Sequence, residues 1–555
     1  MISSEDILGD SGRIAARLKN YEFRPQQLQM ADAVANAIAE RRHLVVEAGT
    51  GVGKSFGYLV PAILSLATGE NLEDQGKKRR IIVSTHTISL QEQLMAKDIP
   101  LLNSVIPLEF AAVIGKGRGN YISLRRLKLA IERSESLFER DDEHHQIGLL
   151  KNWAQDTNDG SKSDFNYRIL SSVWDEVRSD TSNCLSRKCP TYEDCHYFKA
   201  RKRLQHADII VVNHALFFVD LALRKSGINV LPDYDMVILD EAHTIQDVAS
   251  SHLGLSVTRG QIDFALNKLF NEKKTKGLFV LHDLSGEGPV LVHRCRQAAD
   301  EVFSAISRWA NDHAKSKFGS TLTLRVNQQE IVENPLSAHL MNLANYTKTN
   351  AEKIDDSNDR LSFTSAAERL EAFAAELENW RLQRMEDSVY WIESSTNRYG
   401  RENVKLMAAP IDIGPQLREH LFNKVDTCVM TSATIAVGTD SFDYFQNQVG
   451  ITNPATCKLG SPFDYGNQAR LIVISNMADP TRDRDTHERQ SIEAIKKYVA
   501  QTDGHAFVLC TSYSFLNRAV RDLTAWCAQH SLAIYSQGGG VDRSQLLEQF
   551  KKNPR

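Results

Sequence analysis

Apolar residues in this chain fall into short, largely β-branched runs separated mostly by stretches with helical periodicity. The runs are Leu44-Val45-Val46, Ile81-Ile82-Val83, Ile209-Ile210-Val211-Val212, Val237-Ile238-Leu239 and Cys428-Val429-Met430. Several end in a polar residue, the arrangement found where a parallel sheet presents its carboxyl edge. Strand patterns alternating with helix patterns predict an α/β fold with a doubly wound sheet whose ligands bind at that edge. A later set, Leu471-Ile472-Val473-Ile474, Phe507-Val508-Leu509 and Ala533-Ile534-Tyr535, with a helix pattern over residues 490–499, predicts a second α/β lobe beginning near residue 440.

Two long stretches interrupt the first set. One covers residues 116–203; the other, residues 250–402, is polar and helix-patterned. In the latter, Leu370, Phe373, Leu377 and Trp380 share one helical face, which predicts core packing.

Bulk properties set limits on this picture. At about 150 residues per unit, 555 residues exceed one compact domain. A hydrophobic share of 42% and a charged share of 25% are those of a folded globular enzyme and exclude a disordered or fibrous chain. The formal charge of -4 exerts no global pull on nucleic acid, so any such contact must come from local basic patches. The start, Met1-Ile2-Ser3-Ser4-Glu5-Asp6, lacks a secretory pattern, and no apolar run reaches the roughly 18 residues of a membrane span. A cytoplasmic protein is expected. Of eight cysteines, Cys295, Cys428, Cys457, Cys510 and Cys527 stand singly and read as buried thiols, whereas Cys184, Cys189 and Cys195 cluster.

Chemistry first shows after the strand Leu44-Val45-Val46. There Glu47-Ala48-Gly49-Thr50-Gly51-Val52-Gly53-Lys54-Ser55 runs into a helix pattern starting Phe56-Gly57-Tyr58-Leu59. A glycine-rich loop between strand and helix lets backbone N–H groups turn around phosphate oxygens. Lys54 would neutralise the β and γ phosphates of ATP, and the Ser55 hydroxyl would ligate Mg²⁺. The first loop position is Ala48 where the pattern has glycine.

The strand Met236-Val237-Ile238-Leu239 delivers Asp240, Glu241, Ala242 and His243 to the same edge. Asp240 is expected to hold Mg²⁺ and Glu241 to position or deprotonate the attacking water, because phosphoryl transfer needs both charge neutralisation and a directed nucleophile. The predicted catalytic set is therefore Lys54, Asp240, Glu241 and His243.

Asp-Glu-Ala-His after such a loop resembles superfamily 2 helicases, and further segments resemble the DinG and XPD branch. Arg24-Pro25-Gln26-Gln27 resembles the adenine-sensing motif, which implies that Arg24 and Gln27 join residues 48–55 around the nucleotide and that Gln27 reads the base edge. Ser84-Thr85-His86-Thr87, with Leu90-Gln91-Glu92-Gln93-Leu94, resembles the segment that grips the nucleic-acid backbone. Asn213-His214-Ala215-Leu216 and Thr431-Ser432-Ala433-Thr434 match two more motifs, the latter coupling hydrolysis to lobe movement. Ser461-Pro462-Phe463 and Thr511-Ser512-Tyr513 resemble the opening of the second motor lobe.

The resemblance implies two RecA-like P-loop NTPase lobes, the second incomplete. Lobe one would comprise residues 1–115, 204–249 and 403–438, interrupted by an iron–sulfur-type insertion at 116–203 and a helical arch at 250–402, with lobe two at 439–555. It also implies a monomeric ATP-dependent DNA helicase of repair or replication, moving 5′ to 3′ on single-stranded or forked DNA. An ATP-gated clamp on single-stranded nucleic acid is the alternative, and a nuclease a weaker one.

Cys184, Cys189 and Cys195, with Lys188-Cys189-Pro190 at their middle, have the spacing of three soft ligands around one centre. The family's further cysteine follows a Gly-Arg-x-Asn-Tyr run, here Gly117-Arg118-Gly119-Asn120-Tyr121-Ile122-Ser123, so Ser123 stands at the expected fourth position. A [4Fe-4S]-type cluster is the expectation; a labile or three-iron cluster, zinc, or no metal stays open, as does substitution by His196 or His144. Lys116, Arg118, Tyr121, Arg125, Arg126 and Lys128, with Tyr197, Phe198, Lys199, Arg201, Lys202 and Arg203, supply cations and rings suited to a single-strand channel.

After Ser536-Gln537-Gly538-Gly539-Gly540 the sequence runs out at Arg555 before the arginine-bearing motif that the family places in its second lobe. A truncated motor that binds ATP and hydrolyses it poorly is the expectation.

Overall fold

The computed structural model describes residues 2–67, 79–138, 140–165, 167–224, 227–271, 277–284, 286–314, 321–396, 402–438, 440–537 and 543–555. They divide into two compact units, Met1–Phe463 and Asp464–Arg555. In chain order the strands are β1 (Leu44–Ala48), β2 (Ile81–Thr85), β3 (Ala112–Ile114), β4 (Ile209–Asn213), β5 (Met236–Asp240), β6 (Leu255–Thr258), β7 (Thr321–Val326), β8 (Ser388–Thr396), β9 (Glu402–Pro410), β10 (Thr427–Ser432) and β11 (Ala455–Leu459).

Seven of them form a parallel sheet in the order β11-β1-β10-β5-β2-β4-β3. Both faces are covered, which is why its strands read as unbroken apolar runs. Leu44, Val46, Ile81, Val83, Ile209, Val211 and Ile238 enter one core, while Val45, Ile82, Ile210, Val212, Val237 and Leu239 enter the other. Each of these side chains is essentially fully buried, a contribution of roughly 1.5–3 kcal/mol apiece. The α/β class and the parallel sheet read from the sequence are what the structure shows.

The stretch at 116–203 packs around its own small core, which includes Ile122, Leu127, Leu150, Val173 and Val177. The stretch at 250–402 contains the long helices Glu287–His313, Pro335–Ala351 and Ser357–Arg381. It also supplies β6, β7 and β8 to a four-stranded antiparallel sheet, β6-β9-β8-β7, which the helix-patterned reading missed and which β9, Glu402–Pro410, completes from the segment assigned to lobe one. Leu370, Leu377 and Trp380 are buried in its core, with Phe373 packed against it, and the Trp380 indole donates to the Met407 carbonyl at 2.9 Å.

Two differences concern the end of the first unit and the whole of the second. Strand β11, placed by sequence in a second lobe, pairs with β1 because the amide of Ala455 continues the ladder from the His43 carbonyl. The first compact unit thus extends past 438/439 and ends at Phe463. In Asp464–Arg555 the helices Arg484–Gln501 and Tyr513–Gln529 pack through Ile492, Ala519, Leu523 and Cys527. The runs at 471–474, 507–509 and 533–535 join no ladder among the described residues, and Leu471 and Leu509 are 89% and 94% exposed. An apolar run becomes a strand only when a neighbour takes up its N–H and C=O groups. The run at 538–540 lies outside the described residues. Of the five single cysteines, Cys295, Cys428 and Cys527 are buried, and Cys457 and Cys510 are half-buried. No described helix is long and apolar enough to cross a membrane.

Candidate nucleotide-binding site

Strand β1 ends at Ala48, which is fully buried; residues 49–53 turn, and the helix Lys54–Ala67 begins at Lys54. Gly51 and Gly53 take φ of +87° and +83°, a region that side chains with a Cβ avoid. Space demands glycine as well, because a Cβ at Gly51 would meet the Phe463 ring and one at Gly53 the Gln27 amide. Val52 turns inward and Thr50 outward. Arg24 Nη1 donates to the Gly51 carbonyl at 2.6 Å, and Gln27 Nε2 to the Gly53 carbonyl at 3.0 Å. Arg24 and Gln27 thus clasp the loop. Gln27, expected at a base edge, is buried and its amide is spent on the loop.

Strand β5 places Asp240 next to this helix. The Asp240 side chain accepts from the Glu241 amide at 3.0 Å and from the Tyr58 hydroxyl at 3.4 Å. Burial pushes its carboxyl up to about 6, opposed by Lys54 and reinforced by Glu241. A carboxylate held in low dielectric against its ordinary value is a group that a cation would stabilise, so the donor chemistry fits Mg²⁺. The Ser55 hydroxyl, the other expected Mg²⁺ ligand, lies near Tyr58 and Asp98, and burial raises the Asp98 carboxyl.

Glu241 has φ 54° and ψ 47°, a left-handed conformation that is strained for a residue with a Cβ. That turn aims its carboxylate at the loop, where Oε1 lies 3.1 Å from Lys54 Nζ. Its other oxygen lies 3.4 Å from Ser432 Oγ at the end of β10 and 3.5 Å from His243 Nδ1. His243 and Ser432 are themselves 2.7 Å apart. Lys54, Asp240, Glu241 and His243 therefore converge, as do the loop residues and the 431–434 segment. Sequence reading missed Glu47, whose carboxylate accepts from the Ile435 and Ala436 amides at 2.6 and 2.7 Å and ties the loop's strand to the turn after β10. An acidic residue before the loop was the available signal.

On the far side of β5, β2 ends at Thr85, after which His86 and Thr87 are exposed at the sheet's carboxyl edge. Thr87 caps the helix Ile88–Gln93, and Gln91 is buried with its amide on the Val211 carbonyl.

The insertion departs from expectation. Cys195 immediately precedes the helix His196–His206; burial pushes its thiol up, and the nearby Cys184 and Cys189 add to that shift. Cys184 accepts from the Ser186 amide at 3.3 Å. Ser123 does not join them: its hydroxyl caps the helix Leu124–Glu132 by accepting from the Arg126 amide. No group of three or more metal-ligating side chains is assembled among the described residues. The thiols have the chemistry of a metal site, but the residues present do not fit a closed four-ligand cluster. Arg125, Arg126 and Tyr121, read as strand contacts, are buried. Arg125 is spent on Asn183 and Asn358, and Arg126 on the carbonyls of Asp175 and Arg178. Lys116 is held by Asp159, Ser161 and Ser163. Lys128, Lys199, Lys202 and Arg203 remain exposed.

Comparison with known proteins adds the following. The DEAD/DEAH box helicase family pattern matches residues 25–139, and the DEAD_2 pattern residues 172–262. The chain is similar to the ATP-dependent DNA helicase YoaA of Escherichia coli, 29% identical over 552 residues that span 98% of this chain and 79% of the relative. It is also similar to the ATP-dependent DNA helicase DinG of Photobacterium profundum, 27% identical over 577 residues that span 97% of this chain and 80% of the relative. A solved XPD helicase structure, 14% identical, aligns with 90% of this chain and 74% of its own length at a TM-score of 0.47. The similarity to DinG and YoaA helicases extends over nearly the full chain.

Proposed function

We propose that this chain is an ATP-dependent DNA helicase of the DinG and YoaA type, hydrolysing ATP to move along single-stranded or forked DNA. The observation that carries the reading is the meeting of Lys54, Glu241 and Asp240 beneath a glycine loop at the carboxyl edge of a parallel sheet. Lys54 and the loop amides hold the phosphates of ATP, and Arg24 and Gln27 keep the loop in shape. Asp240 and Ser55 would hold Mg²⁺, which supplies charge neutralisation for the transferred phosphoryl group. Glu241, once Lys54 turns to phosphate, is free to orient a water. His243 and Ser432 flank that carboxylate and link it to β10. The slow hydrolysis expected from the sequence rests on the second-lobe arginine motif and not on the residues of this site.

DNA contacts fall to the exposed edge at His86 and Thr87 and to Lys128, Lys199, Lys202 and Arg203. Movement 5′ to 3′ and a role in repair or replication are proposed on the resemblance alone. Cys184, Cys189 and Cys195 are read as soft ligands for an iron–sulfur or zinc centre completed by a group other than Ser123. Iron, sulfide and zinc analysis after anaerobic purification tests this, and metal-free protein with intact DNA binding would remove it.

The test of the function is steady-state ATP hydrolysis with and without single-stranded DNA. DNA-stimulated, Mg²⁺-dependent turnover is expected. Nucleotide and DNA binding without turnover would replace the motor with an ATP-gated clamp.

A further inference from the structure

Ser84 and His214 form a buried pair that the nucleotide site does not use. Ser84 Oγ lies 2.7 Å from His214 Nδ1, and neither side chain is exposed. Ser84 is the penultimate residue of β2. It pairs with Leu239 of β5, one residue before Asp240, while Thr85 pairs with Asn213 of β4, one residue before His214. The pair therefore sits where three strand ends meet, between the exposed edge at His86 and Thr87 and the turn at Asp240 and Glu241.

The ring is only half used. His214 Nε2 is buried near the Asp240 backbone yet makes no well-formed hydrogen bond, and the His86 ring lies 6.2 Å from the His214 ring. A buried ring nitrogen without a partner carries a free-energy penalty, so its placement calls for a structural or functional reason. The Glu241 turn beside it is held in the left-handed region, so a small shift of the Asp240 carbonyl changes the aim of the Glu241 carboxylate.

We propose that His214 is a positioning residue that couples DNA binding to ATP hydrolysis. A strand gripped at His86 and Thr87 draws Ser84 and the His214 ring with it, and Nε2 then donates to the Asp240 carbonyl and fixes the Glu241 turn. This rests on the helicase reading, since it requires that DNA be felt at the nucleotide site.

The test uses the full chain and two readouts: ATP turnover, and affinity for a fluorescent non-hydrolysable ATP analogue, each with and without single-stranded DNA. Coupling is reciprocal, so the affinity readout does not depend on turnover. In His214→Phe the effect of DNA on both readouts falls about fivefold or more. His214→Gln, which restores a polar side chain, recovers part of it. Ser84→Ala loses the effect to the same degree, and Ser84→Ala with His214→Phe loses no more than either alone, as expected of one unit. Should His214→Phe fail to fold, the glutamine and alanine variants decide the matter. A DNA effect equal to wild type in these variants, or losses that add, overturns the coupling role and leaves the helicase reading intact. No DNA effect on either readout in the wild-type chain overturns both.

Discussion

Lys54 Nζ and Glu241 Oε1 stand 3.1 Å apart, each largely shielded from solvent, so the cation that would meet phosphate is paired with the carboxylate that would direct water. Each neutralises the other across the seam between β5 and the glycine loop, and phosphate entering the loop competes with Glu241 for Lys54. The two residues should therefore fail differently when replaced. Glu241→Gln keeps nucleotide binding and lowers turnover by about 10²-fold or more, whereas Lys54→Ala loses nucleotide binding itself. Fluorescent-nucleotide titration beside single-turnover hydrolysis separates the two.

Asp240 gives a pH signature. Its carboxyl is raised by burial from 3.8 to about 6 in the folded protein, so between about pH 4 and 6 the folded state holds the proton that the unfolded state has released. This residue's contribution to stability therefore falls as pH rises through that window. Mg²⁺ and the proton compete for the same oxygens. Binding of Mg²⁺-nucleotide at pH 6 should release protons, and Asp240→Asn should abolish that release, as read by calorimetry in buffers of different ionisation enthalpy.

Gly51→Ala meets both the positive φ and the Phe463 ring. The left-handed conformation alone costs an alanine about 1–2 kcal/mol. The melting temperature should fall modestly and nucleotide affinity by a larger factor, because the loop must move to admit the methyl group.

Arg133 pairs with the buried Asp359 at 2.8 and 3.1 Å, joining the cysteine-bearing insertion to the helix Ser357–Arg381. Arg133→Ala leaves the buried Asp359 carboxylate with His282 Nε2, 3.0 Å away, and without its arginine, and should destabilise by about 3 kcal/mol or less. Arg133→Ala with Asp359→Asn should recover much of the loss, which denaturant unfolding of the four proteins in the cycle measures.

The sequence was most legible where one element determined the outcome. The strand, glycine loop and helix at 44–67, and the strand leading to Asp240, follow from local pattern. The sheet of β6 to β9 did not, because long helices separate β6, β7 and β8 along the chain and only alternate residues such as Tyr390 and Ile392 face the core. Arg125 and Arg126 resemble DNA-facing cations because charge does not reveal burial, and only the structure shows them bound to Asn183, Asn358 and backbone carbonyls. Ser123 matches a ligand position by register, yet its hydroxyl serves the helix that follows. The runs at 471–474 and 507–509 have strand composition, but composition does not supply a pairing partner.

The measurement that bears most directly on the central claim is strand displacement from a duplex carrying a single-stranded tail, run with ATP and Mg²⁺ on the wild-type chain and on Glu241→Gln. The account predicts displacement that requires ATP hydrolysis, favours a 5′ tail and disappears in Glu241→Gln. Displacement of equal extent in Glu241→Gln, or none from either tail by wild-type protein that binds both ATP and DNA, would contradict it.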